Sequence, residues 1–196
     1  MDFNRILNGM IRAAKLDKSF YEEVEHDTSY SQDALAVVIL ASVAGALGGF
    51  LSALFGGHFG AALFALIVGA VTGVISYYVW VFLVQFIGTK FFKGTGDFGE
   101  VSRALGFAWA PRVLGILSFI PFLGGIIGFV AWIWTIATGF VATRQSLDQD
   151  DTNAALTVIV AAVVAFVISM LIGLIFAAIG LALGVAGAAV SGALGQ

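Results

Sequence analysis

Few residues in this sequence have side chains that could carry out chemistry. There is no cysteine, and the two histidines, His26 and His58, stand on either side of a long apolar stretch. Serines and threonines are present, but none has a histidine or carboxylate placed to activate it as a nucleophile. No paired carboxylates and no metal-ligand spacing stand out. The sequence therefore predicts no enzyme, no catalytic or metal site and no cofactor.

One stretch matches a nucleotide-binding pattern. Gly94 to Gly99 reads G-x-G-x-x-G. That fingerprint binds a dinucleotide only between a strand and a helix of a βαβ unit. Here the preceding element is an apolar helix, so we interpret the stretch as a flexible loop in which glycine supplies the turns.

Arg112 is the residue most suggestive of a site within a membrane. If a helix begins near Arg103, Arg112 lies nine residues, or about 13 Å, further along it. A buried intramembrane arginine marks a functional position by default, and Pro111 beside it permits a kink that frees a carbonyl. Candidate partners for an intramembrane polar site are Gln85, Tyr77 and Tyr78. In the alternative interpretation, the helix begins later and Arg112 reaches back to the interface.

A second group of charged residues lies in the loops and forms a candidate cytoplasmic platform. Such a platform would serve a partner protein or lipid headgroups. In the alternative, these charges set the topology and cap helices, with Asp151 or Asn153 capping the last span and Asp33 the first. The platform residues are Lys90, Lys93, Asp97, Glu100, Arg103, Arg144 and Asp148.

Composition identifies the environment in which these residues lie. Sixty per cent of the residues are hydrophobic and 11% are charged, against roughly a quarter charged in a soluble domain. A crossing helix needs about 20 apolar residues, and five stretches qualify, with Pro121 and the glycines after it breaking the longest one. We predict an all-α polytopic protein with an N-terminal segment (1–32), a membrane domain (33–180) and a Gly/Ala-rich tail (181–196). The spans are about 34–55, 61–87, 104–120, 123–143 and 154–179.

The basic residues fix the predicted orientation. All nine lysines and arginines fall in the N-terminal segment, in or just after the Gly88–Ser102 loop, or after the fourth span. With five spans they share one face, which the positive-inside rule makes cytoplasmic. The N-terminus is then inside and the C-terminus outside, in a prokaryotic cytoplasmic membrane. A four-span alternative would place Arg144 and the aspartates after it on the far side.

The N-terminal segment has the pattern of an interfacial amphipathic helix. Its apolar residues recur at helical spacing, and its basic residues fall away from that stripe, toward headgroups. In the alternative, the helix packs on the cytoplasmic ends of the spans, and both can hold. The acidic run that follows, from Glu22 to Asp27, is interpreted as solvated. The stripe residues are Phe3, Ile6, Leu7, Met10 and Ile11, and the basic ones are Arg5, Arg12 and Lys15.

Several G-x-x-x-G pairs predict close helix packing within the chain or in a homo-oligomer. They are Gly45/Gly49, Gly69/Gly73, Gly124/Gly128 and Gly180/Gly184. The predicted partners are membrane lipids, a second copy of the chain and an unidentified cytoplasmic protein, with no nucleic acid.

An ordered set of short motifs resembles the membrane domain of the Ypt-interacting protein (YIP) family in its prokaryotic form. The motifs are Phe91 to Gly96, Arg103 to Ala108 leading to Pro111, Ile120 to Gly124, and Trp132 to Arg144 ahead of Leu147 and Asp148. The resemblance covers roughly Ser31 to Ile179. It implies a five-span helical domain with a cytoplasmic N-terminus.

Eukaryotic members of that family act in membrane traffic and bind Rab-type GTPases, but the Asp-Leu-Tyr-Gly-Pro-like element of their N-termini is not in this sequence. We therefore predict a non-enzymatic membrane organiser or scaffold. The alternative is a transporter or channel for a small solute, ion or lipid, with its site near Arg112.

Overall fold

The protein is a bundle of helices, described by a computed structural model over residues 2–57 and 59–194. His58 lies outside the described residues. The elements are α1 (Phe3–Ala14), α2 (Lys18–His26), a one-turn 3-10 helix (Thr28–Tyr30), α3 (Ser31–Phe55), α4 (Phe59–Phe91), α5 (Phe98–Ala108), a 3-10 segment (Ala110–Phe119), α6 (Leu123–Ser146) and α7 (Asp151–Leu194). The prediction of an all-helical fold is confirmed.

Four helices are long and apolar enough to cross a membrane. They cover Thr28–Phe55, Ala62–Phe91, Leu123–Ser146 and Asp151–Ile172. These correspond to the first, second, fourth and fifth predicted spans. Large apolar side chains such as Phe64, Phe129 and Phe166 point outward, as expected of helices that meet hydrocarbon on one side.

The third predicted span is not one continuous α-helix. It is divided at Trp109 into α5 and the ten-residue 3-10 segment, which has Pro111 in its first turn. Proline has no N–H to donate and its ring clashes with the carbonyl four residues earlier. An α-helix entering from α5 therefore ends just before Pro111, and the chain continues with 3-10 bonding.

The divided element packs along the whole of α3. Gly106 lies against Ala34 at the start of α3, Gly115 against Gly45 and Gly48 in its middle, and the Phe119 ring lies 6.0 Å from the Phe55 ring at its end. Close approach in the middle requires glycine on both elements, because a Cβ on Gly48 would lie well under 3.0 Å from the Gly115 carbonyl.

Only some glycines of the predicted G-x-x-x-G pairs lie at close contacts between helices. Gly69 and Gly73 do face α3, at Ala46 and Ser42, and Gly124 lies against Ser118. A Cβ on Gly115 would lie 3.2 Å from the Cα of Gly45, but a Cβ on Gly45, Gly49 or Gly128 would meet nothing within 4 Å. The tightest contact of α3 is made by Gly48, outside the predicted pairs. The surroundings of Gly180 and Gly184 lie outside the described part of the chain.

Two predicted helix caps are wrong. Asp33 does not cap α3, which begins at Ser31 after Tyr30; it lies in the first turn, buried, with its carboxylate 2.5 Å from the Arg5 guanidinium. At α7 neither Asp151 nor Asn153 is the capping residue. Asp150 accepts a hydrogen bond of 2.9 Å from the backbone N–H of Asn153.

Candidate functional site

The loop that matches G-x-G-x-x-G is fixed to the α6–α7 connection. The backbone N–H of Thr95 donates to the Leu147 carbonyl at 3.1 Å, and the Thr95 hydroxyl donates to the Asp148 carboxylate at 2.5 Å. Gly96 is buried so closely against the Ser146 carbonyl that a Cβ there would lie well under 3.0 Å from it. The expectation of a flexible loop is wrong, because its glycines serve close backbone approach rather than mobility.

Gln149, which is buried in the α6–α7 connection, joins that connection to the end of α4. Its side-chain amide donates to the Gly88 carbonyl at 3.3 Å and to the Phe92 carbonyl at 2.9 Å. Its amide oxygen accepts from the Thr157 hydroxyl at 3.1 Å. The Gly88 carbonyl also accepts from the backbone N–H groups of Phe92 and Gly94, so the buried amide reinforces this end of α4 and gives the Phe92 carbonyl, just beyond the helix, a partner. Sequence reasoning missed Gln149, because an uncharged residue among aspartates gives no signal.

We call the end of the bundle formed by α1, α2, residues 92–97 and residues 147–150 the charged end. Arg103 lies inside it and not on its surface. Its guanidinium donates to the Val24 carbonyl at 2.9 Å and to the Glu25 carbonyl. A cation at a helix C-terminus is favoured by the helix dipole, so Arg103 attaches α5 to the last turn of α2.

Most of the other predicted platform residues also have structural partners. Asp97 and Glu100 form a capping box at the start of α5, which satisfies two orphan N–H groups. Arg144 pairs with Asp151 at 2.8 Å, and Asp148 holds Thr95. Lys90 and Lys93 are exposed. The structure thus places these residues at one end of the bundle, where most of them cap helices or bind neighbouring segments of the chain. A partner-binding role for them stays a prediction.

The two N-terminal helices cover the charged end. An edge-to-face aromatic cluster joins them to α5, with the Phe20 and Phe107 rings 5.0 Å apart and Tyr30 beside both. Arg12 pairs with Asp17 at 2.8 Å and with Glu23 at 2.9 Å. Hydrogen bonds from Ser19 and then Arg12 lower the pKa of Asp17, and those from Tyr30 and then Arg12 lower the pKa of Glu23. The predicted orientation of Arg5 and Arg12 toward headgroups is therefore replaced by ion pairs within the protein.

The acidic run is not uniformly solvated, as the sequence suggested, because Glu25 is buried. Its side chain is 4% exposed, and its Oε2 atom has no hydrogen-bond partner. Burial raises the pKa of Glu25 to about 8, helped by the nearby carboxylates of Asp148, Glu22 and Glu100 and opposed by Arg103. The nearest cationic candidate is His26, whose Nε2 lies 3.5 Å from Oε1.

The predicted intramembrane polar site is only partly assembled. Tyr77 is buried and its hydroxyl donates to the Ser102 carbonyl; its ring packs on those of Tyr78 and Trp109. Arg112 is an exposed residue overall, and its guanidinium lies 4.1 Å from the centroid of the Trp109 ring. Gln85 lies two turns along α4 from Tyr77, about 12 Å away.

The outward apolar helices and the absence of strands among the described residues define a helical membrane protein. Comparison with known families gives the more specific assignment. The model of the Yip1 domain matches residues 17–173, and the chain therefore belongs to the Yip1 domain family. The resemblance stated from the sequence motifs is confirmed. No curated protein and no solved structure matches the chain.

Proposed function

We propose that this protein is a non-enzymatic membrane organiser that crosses the bilayer five times and inserts α1 into the cytoplasmic leaflet. The observation that supports the role is the apolar face that α1 turns away from the bundle. Phe3, Leu7 and Ile11 on that face are 68%, 45% and 46% exposed.

The path of α5 and the 3-10 segment supports the five-crossing count. α3 runs from Ala34 to Phe55 in 21 steps of about 1.5 Å, or about 32 Å. The neighbouring element runs beside it in the same direction from Gly106 to Phe119, and its 13 steps cover up to about 26 Å at the 3-10 rise of about 2.0 Å per residue. An element that accompanies a crossing helix from end to end counts as a crossing of its own.

The charged end is then cytoplasmic, and the absence of cysteine allows a direct test. In single-cysteine variants K93C and R144C, a membrane-impermeant maleimide should react only from the cytoplasmic side. F122C, at an 85% exposed turn residue, should react only from the opposite side. The cysteine-free parent chain is the control for background. Labelling of K93C and R144C from opposite sides would contradict the five-crossing arrangement.

α1 has three faces, which a helical projection at 100° per residue separates. Ile6, Gly9 and Ala13 are buried against the bundle, with Met10 at the edge of this face. Phe3, Leu7 and Ile11 form the exposed apolar face next to it. Asn4, Asn8 and Lys15 follow on the exposed polar face. Both interpretations offered by the sequence are therefore compatible, since one side packs on the protein and another is available to lipid.

Two contacts hold α1 against the crossing helices. Arg5 pairs with buried Asp33 at the start of α3. The exposed Trp134, midway along α6, donates from its indole N–H to the Ala14 carbonyl at 2.7 Å. The apolar face of α1 is thus continuous with the lipid-facing surface of the bundle. A helix inserted in one leaflet displaces headgroups there and not in the other, which favours curvature.

The organiser role predicts a change of membrane shape that depends on this face. Full-length protein reconstituted into vesicles should shift them to smaller diameters, measured by electron cryomicroscopy. The double variant L7D/I11D should lose that shift, because two carboxylates do not enter the hydrocarbon boundary.

The matched control is N4D/N8D, which adds the same charge to the polar face of the same helix. It should remodel vesicles as the parent does. Equal remodelling by the parent, L7D/I11D and N4D/N8D, or none by the parent, would reject the role.

Transport, the alternative, has less support. Arg112 is an exposed residue stacked on Trp109, whereas a transport site would require it to line a passage within the bundle. The apolar groove between α3 and α4 lined by Ile39, Val43 and Val74 carries no charged group.

A further inference from the structure

Three metal-ligating side chains share one face of α2. Glu22, Glu25 and His26 are related by i, i+3 and i+4 spacing, which places them side by side on a helix. One ligand atom from each lies within 4.8 Å of the other two. We propose that these residues form a binding site for a divalent transition-metal ion at the charged end, independent of the organiser role.

The buried carboxylate of Glu25 is the observation that points to a ligand. Its Oε2 atom has no hydrogen-bond partner, although an isolated buried carboxylate is costly and is normally paired or bound to a metal. The groups facing it are mostly negative: Glu22 on its own helix, Glu100 on α5 and Asp148 in the α6–α7 connection, with Arg103 as the opposing cation. A divalent ion beside Oε2 would neutralise this excess and supply the missing partner.

The other two ligands are accessible from outside. A surface pocket of about 490 Å³ opens over them, lined by Lys18, Ser19, Glu22, Glu23, His26 and Gln145. The Gln145 amide donates to Oε2 of Glu22 at 2.7 Å, which orients that carboxylate as partners outside the ligand set commonly do. The His26 side chain is 68% exposed, so its ring can turn toward the carboxylates.

The donor set favours a particular class of ion. One imidazole nitrogen with two carboxylate oxygens suits Zn²⁺ and similar ions, whereas Ca²⁺ and Mg²⁺ prefer oxygen ligands alone. Three protein ligands leave a fourth position for water, facing the pocket.

The proposal is tested with the full-length protein in lipid nanodiscs. The protein is first treated with a chelator to remove bound metal and is then titrated with Zn²⁺, and binding is measured by calorimetry. We expect one saturable site. H26N should weaken Zn²⁺ binding by at least about tenfold, the loss that removing even an outer partner of a metal ligand causes. E25Q should weaken Zn²⁺ binding to a similar extent, because it removes the buried carboxylate from the ligand set.

The matched control is E23Q, which removes a charge from the same helix and the same pocket but leaves the three ligands intact. Its Zn²⁺ affinity should stay within about threefold of the parent, since surface charges act weakly through water. Absence of saturable binding, or equal affinity in the parent and H26N, would overturn the proposal. If E25Q does not fold, H26N alone decides the outcome. His26 is an exposed residue, so its replacement should leave the fold intact.

Discussion

Replacement of Gly48 by alanine should lower the thermal midpoint of the protein more than alanine at neighbouring glycines of α3. The added Cβ would meet the Gly115 carbonyl and the Ser118 hydroxyl at well under 3.0 Å. The carbonyl is backbone, so α3 and the 3-10 segment must separate. Overpacking of this kind costs about 1–3 kcal/mol, which corresponds to roughly 3–10 °C in a chain of this length.

The next residue provides the control. Gly49 lies on the same helix, and a Cβ there would meet nothing within 4 Å. G49A should therefore leave the thermal midpoint unchanged or raise it slightly, because alanine favours helix over glycine by up to about 1 kcal/mol. Thermal unfolding of both variants in the same detergent is the measurement. Equal midpoints for G48A and G49A would show that the two elements do not pack as described.

Alanine at Gly96 should release the loop from the α6–α7 connection. The added Cβ would lie well under 3.0 Å from the Ser146 carbonyl, with Leu147 close behind. The loop must retreat, and the two hydrogen bonds of Thr95 to Leu147 and Asp148 are lost with it. At about 1 kcal/mol for each hydrogen bond plus about 1–3 kcal/mol for the steric clash, we expect about 3–5 kcal/mol of destabilisation.

Amide hydrogen exchange shows which segments lose protection when the loop is released. In G96A the amides of residues 92–97 and 146–150 should exchange faster than in the parent. The control G99A places its Cβ 3.0 Å from the Asp97 carboxylate and 3.1 Å from the Arg103 guanidinium, side-chain atoms that need to shift by only a few tenths of an ångström, whereas a Cβ at Gly96 meets backbone. Its exchange should match the parent in the two segments. Unchanged protection in G96A would mean that the loop is not docked.

The crossings and their ends could be read from the sequence because they depend on local properties. Apolar length locates α3, α4, α6 and α7, and Pro121 marks the turn into α6, where Phe122 has a positive φ of 65°. The capping box of Asp97 and Glu100, three residues apart, is local as well, although the sequence interpretation named Asp33, Asp151 and Asn153 as caps instead.

The remaining features depend on partners distant in the sequence. Asp33 looks like a cap until Arg5, 28 residues earlier, is found beside it. Gly48 is the contact residue of α3 because of Gly115, and the pattern within α3 alone favours its neighbours. Glu25 and Arg103 read as surface charges, yet the packing of α2 on α5 buries both. The site residues were therefore less predictable than the helices that carry them.

The 3-10 segment has a consequence for counting membrane passages in sequences of this kind. Ten residues cover about 20 Å in this form and about 15 Å as an α-helix, so a scan calibrated on twenty-residue helices passes over the segment. Under the proposed five-crossing arrangement, such a scan would miss one passage, return an even number and place both chain ends in the same compartment. For related chains with a proline at the position of Pro111, the distribution of lysine and arginine is a better guide than apolar length to whether the number of membrane passages is odd or even.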